Sequence, residues 1–389
     1  MNVLMYLNRY PGYGGIEIVT TYLSNYLVAH GINVSILSFT SQAEKLLAAC
    51  LCDKVNVYHV EASGSKTASA DAIKTVLAKE EIDIVVFQDS YAPIEGYLIE
   101  ALQGTDIKLC TVEHNVPDCA VRALKQAYSD RLKPYPTKAW LSYPIRLLKI
   151  KSQIKKRHRH LCDVSDKYVL LSAKFYTVLE KLIGSLDKAK VTHINNPITI
   201  KTPAGTLFAK EKICLFCGRL SKQKGIKYLV EIWSEIERRG TDWTLVVVGD
   251  GSLNQYLREE IKMRGLKNIR MDGYQADTAA YYAKASILCM ASIFEGWMLT
   301  LVEAMVYGCV PITFNSYEAA SDIITDGENG FLIKPFNVMS YANTLQALME
   351  DKTLFEKMSR QAMVSSDRFA INGIGPKWIE LFNSLKSNT

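Results

Sequence analysis

Short β-rich runs alternate with helix-length amphipathic stretches along the whole chain, and this alternation restricts the fold more than any single motif does. Parallel strands cannot be joined by a tight turn, so each needs a long crossover, and a helix is the usual one. Two such series separate. The first predicts strands at Val3–Leu7, Asn33–Phe39, Ile82–Phe87, Leu109–Glu113 and Tyr168–Leu171. Helices lie between them, such as Glu17–His30 with its apolar face of Val19, Tyr22, Leu23, Tyr26 and Leu27. The second series begins after the linker-like Asn195-Asn196-Pro197, with strands at Ile213–Cys217, Thr244–Val248, Ile269–Met271, Ile287–Met290 and Val310–Phe314. A last stretch, Ile374–Leu385, carries Trp378, Ile379, Leu381 and Phe382 and is predicted to be a helix packing back towards the first domain. The expected fold class is α/β with two parallel-sheet domains, 1–195 and 196–370, and a C-terminal helix in 371–389.

A chain of 389 residues suits two domains. Hydrophobic residues at 48% and charged residues at 22% exclude a disordered or collagen-like chain. The best apolar run, Ala285 to Phe294, is interrupted by Ser286 and Ser292 and is too short to span a bilayer. The N-terminus leads at once into a glycine-rich turn, unlike a secretory signal, and nine cysteines scattered through apolar segments read as reduced thiols. A cytoplasmic protein is therefore expected. Cys214 and Cys217 spell C-x-x-C inside a predicted strand, where positions three apart face opposite sides, so no metal is expected there.

The net charge of +6 is carried by one segment. Arg146, Lys149, Lys151, Lys155, Lys156, Arg157 and Arg159 stand together with no acid among them. A nucleic-acid groove would spread its charge and interleave aromatics, which this segment does not do. Leu147, Ile150, Ile154 and Leu161 recur at helical spacing within Ile145–Leu161, giving a basic amphipathic helix. Such a helix suits an anionic membrane surface, with Lys149, Lys151, Lys155, Lys156, Arg157 and Arg159 as contact candidates and the inner face of the cytoplasmic membrane as the place. An ordinary helix whose stripe packs on its domain is the other reading.

Four places carry chemistry. The turn Pro11-Gly12-Tyr13-Gly14-Gly15-Ile16-Glu17 opens a helix, so amides at Gly14 and Gly15 could approach an anion; a plain tight turn reads equally well. It lacks the G-x-G-x-x-G spacing of a dinucleotide site. Gly218-Arg219-Leu220 with Lys224-Gly225 leaves a strand and enters a helix, offering a bidentate guanidinium and a point charge to a diphosphate. Solvated charges on a surface loop are the alternative there. Val248-Gly249-Asp250-Gly251 ends the next strand in a turn against which a nucleotide could lie. Finally, Glu295 and Glu303 stand on either side of a loop-to-helix turn, Glu295-Gly296-Trp297-Met298-Leu299, with amides near Met298 and Leu299 able to face an anion and carboxylates able to accept from sugar hydroxyls.

In this order, with Gly14-Gly15-x-Glu17, Gly308-x-x-Pro311 and Asp326-Gly327-Glu328-Asn329-Gly330-Phe331-Leu332 added, the motifs resemble those of family 4 retaining glycosyltransferases of the GT-B fold. The resemblance implies two Rossmann-like domains facing a central cleft over a nucleoside diphosphate sugar. It implies that Arg219 and Lys224 hold the diphosphate, that Glu303 binds the ribose hydroxyls, and that Glu295 with the following amides holds the donor sugar. His114 falls where the family often has an active-site histidine, although a lone histidine after a strand is as readily structural. The chain departs from the family's pattern at Met298 and Thr300, where a small residue and then proline are usual, and at Gln88, where many members have histidine. Donor identity is therefore not carried over.

The expected reaction is transfer of a sugar, with UDP preferred over GDP as the carrier, to a hydroxyl of a glycan or lipid-linked glycan, with retention and without a metal or other cofactor. A nucleotide-sugar epimerase or phosphorylase is the second reading. A basic nucleic-acid-binding protein is the non-enzymatic third, disfavoured by the local concentration of charge.

Overall fold

The computed structural model describes residues 1–12, 14–41, 50–61, 66–90, 92–129, 137–200 and 209–387. Contacts divide the chain into two compact units, Met1–Thr199 with Ala370–Thr389, and Ile200–Phe369. The division falls at Thr199 and Ile200, a little past the Asn195-Asn196-Pro197 step.

Unit 1 is built on seven parallel strands: β1 (Asn2–Tyr6), β2 (Asn33–Ser38), β3 (Asn56–His59), β4 (Ile84–Phe87), β5 (Lys108–Glu113), β6 (Lys167–Leu170) and β7 (Val191–His193), in the order β3-β2-β1-β4-β5-β6-β7. Val3, Leu4, Met5 and Tyr6 of β1 and Ile84, Val85 and Val86 of β4 are wholly buried, as expected of central strands covered by helices on both faces. The edge strands β3 and β7 were not foreseen. β3 is mostly exposed and has no apolar alternation, so only its pairing with β2 makes it a strand. The crossover helices are α1 (Gly15–Ala29), α2 (Lys66–Lys79), α3 (Glu95–Leu102), α4 (Cys119–Ser129), α5 (Thr137–Val164) and α6 (Phe175–Ile183).

Helix α5 corrects the reading of its basic face. Ile154 and Leu161 are buried in unit 1, so that end of the apolar stripe is core and not a membrane face. Arg157 lies 3.8 Å from Glu95, and Arg159 donates to the Ile183 carbonyl at 2.8 Å, so neither is a freely solvated cation. Among its described residues α5 exposes Ile145 and Leu148, at 71% and 68%, together with Arg146, Lys149, Lys151, Lys156 and Arg159. Among the described residues no helix is long and apolar enough to cross a membrane.

Unit 2 has six parallel strands: β8 (Glu211–Cys217), β9 (Thr244–Val248), β10 (Ile269–Gly273), β11 (Ala285–Met290), β12 (Val310–Phe314) and β13 (Phe331–Ile333), in the order β10-β9-β8-β11-β12-β13. β11 is buried at every position and β8 over its second half, where Cys214 and Cys217 are free, buried thiols. The helices are α7 (Ile226–Arg239), α8 (Asn254–Arg264), α9 (Ala279–Lys284), α10 (Leu299–Val306), α11 (Ala320–Ile323), α12 (Val338–Glu350) and α13 (Lys352–Ser366). Helix α7 shows why such segments fold as they do. Ile226, Leu229, Val230, Trp233 and Ile236 recur at helical spacing and are all buried, each contributing about 1.5–3 kcal/mol. Gly240, at φ 88, stops the helix.

After unit 2 the chain returns to unit 1 as α14 (Ile371–Lys386). Trp378 and Phe382 are buried, and Lys386 lies 3.0 Å from Asp83. At Gly375 the helix passes so close to α1 that a Cβ would sit 2.1 Å from the Tyr26 ring.

Candidate active site

In unit 2 the chain runs outward from β8 to β9 and β10, then returns to β11 on the other side of β8. The strand order thus reverses between β8 and β11, and the carboxyl ends of the strands at such a switch point are where an open parallel sheet receives a ligand. Gly218, Arg219 and Lys224 follow β8, Gly249 follows β9, and Glu295, Gly296 and Met298 follow β11. Leu299 and Glu303 lie on α10.

Backbone packing sets the shape of these loops. Gly249 has φ 132, and a Cβ there would lie 2.0 Å from the Gly218 carbonyl oxygen. Gly225, at φ 67, opens α7, where a Cβ would lie 1.9 Å from the Ala291 carbonyl oxygen. Neither position has room for a side chain. The two glycines thus press the loop after β8 against those after β9 and β11.

Side chains complete the join. Gln223 accepts at its backbone carbonyl from Ile293 N–H at 2.8 Å, and its Nε2 donates to the Phe294 carbonyl at 3.1 Å and to Glu295 Oε2 at 3.3 Å. Lys224 Nζ lies 2.8 Å from Glu295 Oε1, with the side chains only 16% and 9% exposed. Arg219 is exposed, and among the described residues its guanidinium has no hydrogen-bond or ion-pair partner.

Helix α10 starts without a side-chain cap, with Met298 extended at the N-cap. The positive end of its dipole is therefore not met by a side chain at this end. Around this helix start Ser292 Oγ, Trp297 Nε1 and, on α10 itself, Thr300 Oγ1 are buried and have no hydrogen-bond partner among the described residues. Buried polar atoms in folded proteins are almost always paired, so these three are unusual, but, shut off from solvent, they do not themselves reach a ligand. The Met298 side chain is turned away into the core, with Tyr317 Oη donating to its sulfur at 3.6 Å, so this residue can replace a smaller one. Glu303 is buried on α10 and accepts from Tyr282 Oη at 3.1 Å.

Unit 1 holds the remaining candidates. His114 follows β5, and its Nε2 donates to Gln88 Oε1 at 2.7 Å, which leaves Nδ1 as the acceptor nitrogen. Burial lowers its pKa to about 4, so the ring is neutral in the physiological range. Beneath it Glu113 is fully buried and accepts from Ser90 Oγ, Tyr168 Oη and Asn115 N–H, each at 3.1 Å; burial pushes its carboxyl up.

The turn at Gly14 and Gly15 has an occupant of its own. A Cβ on Gly14 would lie 2.3 Å from Glu17 Oε2, and Arg9 Nε and Nη2 both lie 2.8 Å from Glu17 Oε1. The helix start expected to meet an outside anion has the chain's own carboxylate beside it, which weakens its claim to phosphate. Tyr13 of that turn lies outside the described residues.

Sequence reasoning missed Gln88, Gln223 and Tyr282 as partners of the site residues. Gln88 and Tyr282 meet theirs only through the packing of separate elements, and no local period announces that.

Comparison with known proteins matches both halves of the chain. A model described as Glycosyltransferase Family 4 matches residues 13–201, and one described as Glycosyl transferases group 1 matches residues 199–364. A Campylobacter jejuni alpha-1,4-N-acetyl-D-galactosaminyltransferase, named for an undecaprenol-linked acceptor, is 27% identical over 181 residues, 46% of this chain and 50% of the relative. The poly(glycerol-phosphate) alpha-glucosyltransferase of Bacillus subtilis is 26% identical over 242 residues, 60% of this chain and 36% of that protein. The chain thus spans about half the length, or less, of the curated relatives it matches. Among solved structures, Anabaena HepE in complex with UDP-glucose superposes with a TM-score of 0.77 at 16% identity, covering 99% of this chain and 100% of that one. A Staphylococcus aureus TarM mutant in complex with fondaparinux, alpha-GlcNAc-glycerol and UDP gives 0.76 at 13% identity, covering 98% and 99%.

Proposed function

We propose, from the premise that this chain belongs to the family 4 glycosyltransferases of the GT-B fold, that it moves a sugar from a nucleoside diphosphate donor to a hydroxyl of a glycan or lipid-linked glycan. One observation carries the reading. The carboxyl ends of β8 and β11 gather an exposed, unpartnered guanidinium, an ammonium held by a carboxylate, and an uncapped helix start, a set suited to a diphosphate and a polyhydroxylated group together.

The roles follow from charge. As the anomeric C–O bond breaks, its electron pair moves onto the departing diphosphate, and the acceptor oxygen forms the new bond while its proton passes to a phosphate oxygen. Arg219, Lys224 and the first amides of α10 face charge that grows along this path, so they stabilise the transition state more than the bound donor. Glu303 holds the ribose, and Glu295, neutralising Lys224, orients the donor sugar. His114, neutral with an acceptor Nδ1, suits a donor hydroxyl. Because the cations and the amides take up the leaving group's charge, the reaction proceeds without a metal. Retention of configuration is part of the proposal, with the acceptor entering on the face the diphosphate leaves.

UDP is the preferred carrier, a choice supported by the UDP and UDP-glucose bound in the two structural neighbours. A lipid-linked acceptor is supported by the undecaprenol-linked one in the Campylobacter relative's name, and it suits a protein that docks on the inner face of the cytoplasmic membrane. A thermal-shift panel of nucleoside diphosphates and their sugars tests the donor, since a ligand at 100 times its dissociation constant stabilises by about 2.7 kcal/mol. UDP and a UDP-sugar should shift the melting point; no shift with any nucleotide would refute the reading. Incubation of the donor alone separates a transferase, which hydrolyses it slowly at most, from an epimerase, which converts the sugar.

A further inference from the structure

Tyr282 has no part in the chemistry proposed above, yet its phenol stands between two pieces of the site. It belongs to α9, is fully buried, and donates from Oη to Glu303 Oε2 at 3.1 Å. The Cys217 thiol, the last residue of β8 before the Gly218-Arg219 loop, lies near enough to the same phenol to push its pKa up. A phenol has one proton to give. That proton goes to the carboxylate, so the bond runs from Tyr282 O–H to Glu303. Burial and the neighbouring carboxylate push the phenol's pKa well up, so it remains a donor throughout the physiological range.

The bond from Tyr282 to Glu303 has a geometric consequence. A glutamate has three side-chain torsions, and its terminal one is broad, so a carboxylate held only by its stem would sample many directions. The bond from Tyr282 fixes Oε2, and with it the direction of Oε1. A vicinal diol is recognised by a carboxylate only when the oxygens are held where both hydroxyls can donate. We propose that Tyr282 is a positioning residue which orients Glu303 toward the ribose diol and so sets the preference of this site for ribonucleotides over deoxyribonucleotides. The inference rests on the proposed nucleotide-sugar reading and deepens it.

The experiment is calorimetric binding of UDP, 2′-deoxy-UDP and 3′-deoxy-UDP to the full chain, as wild type, Tyr282→Phe and Glu303→Gln. Wild type should bind UDP more tightly than either deoxy form. Tyr282→Phe should weaken UDP at least about fivefold, as expected for loss of a hydrogen bond to a charged group, while the deoxy forms change little, so that their affinities converge. Equal loss for all three ligands would mean that Tyr282 is only a packing residue, and the inference would fail. Should Tyr282→Phe not fold, Tyr282→Met removes the same donor. It should narrow the preference for UDP over 2′-deoxy-UDP in the same direction, and an unchanged ratio would count against the inference. If wild type binds none of the three ligands, the nucleotide reading itself is wrong; if wild type discriminates and Tyr282→Phe discriminates as well, only the role of Tyr282 is lost.

Discussion

Lys224 and Glu295 form a 2.8 Å ion pair in a largely buried setting at the carboxyl edge of unit 2, joining the loop after β8 to the loop after β11. The cation proposed for the diphosphate is thereby held by the carboxylate proposed for the donor sugar. Neither side chain has to be ordered when the ligand arrives, which is how a site avoids reorganisation at the moment of reaction.

Lys224→Ala and Arg219→Ala are each expected to lower turnover by at least about tenfold, roughly 1.4 kcal/mol of leaving-group stabilisation. Their stabilities should differ. Lys224→Ala leaves a buried carboxylate unpaired and lowers the melting temperature, whereas Arg219 is exposed and its loss leaves the fold as stable as before. Wild-type activity in both variants with a matched donor would remove the diphosphate assignment.

Glu303→Gln keeps the volume but gives up the charge, and nucleotide binding should weaken by about 1–3 kcal/mol. Calorimetry with UDP measures this directly. Unchanged affinity would return Glu303 to the ordinary residues of α10.

His114 predicts a pH slope in stability. Its pKa in the fold is about 4, below the ordinary value of 6.5, so between these values the unfolded chain takes up a proton that the folded chain refuses. Stability from this site is complete above pH 6.5 and is lost as the pH falls toward 4. Glu113, raised by burial, has the opposite sign, contributing below its unfolded pKa and less as the pH rises through its folded one. The measurement is therefore a difference: His114→Asn should show a smaller fall in melting temperature than wild type between about pH 7 and about pH 5. Equal slopes would contradict the buried, neutral ring.

EDTA is expected to leave activity largely intact, because the proposed leaving-group charge is met by Arg219, Lys224 and backbone amides. Complete loss, restored by Mg²⁺ or Mn²⁺, would overturn the metal-independent reaction.

Membrane docking through α5 would use residues the structure exposes, Ile145 and Leu148 with Arg146, Lys149, Lys151 and Lys156. Each cation near an anionic surface adds on the order of 1 kcal/mol. In liposome co-sedimentation, binding should need anionic lipid, weaken with salt, and fall when Lys149 and Lys151 become Glu. Equal binding to neutral vesicles would exclude this surface.

The sequence by itself determined the parallel α/β class, the two series of units, the loops that bear Arg219, Lys224 and Glu295, and the helix that bears Glu303, because each of these is written locally. A buried parallel strand is a continuous apolar run, and a strand leading through a glycine turn into an amphipathic helix names its own carboxyl end. Tertiary structure alone decided what those residues meet. β3 and β7 exist through pairing at the sheet edges, since three or four half-exposed residues carry no period of their own. Glu17 fills the turn at Gly14, Ile154 and Leu161 turn inward, Lys224 meets Glu295, and Tyr282 reaches Glu303 across 21 positions of sequence. Hydrogen bonds and ion pairs act over a few ångströms of space, and only the packed sheet and its helices bring such distant positions that close.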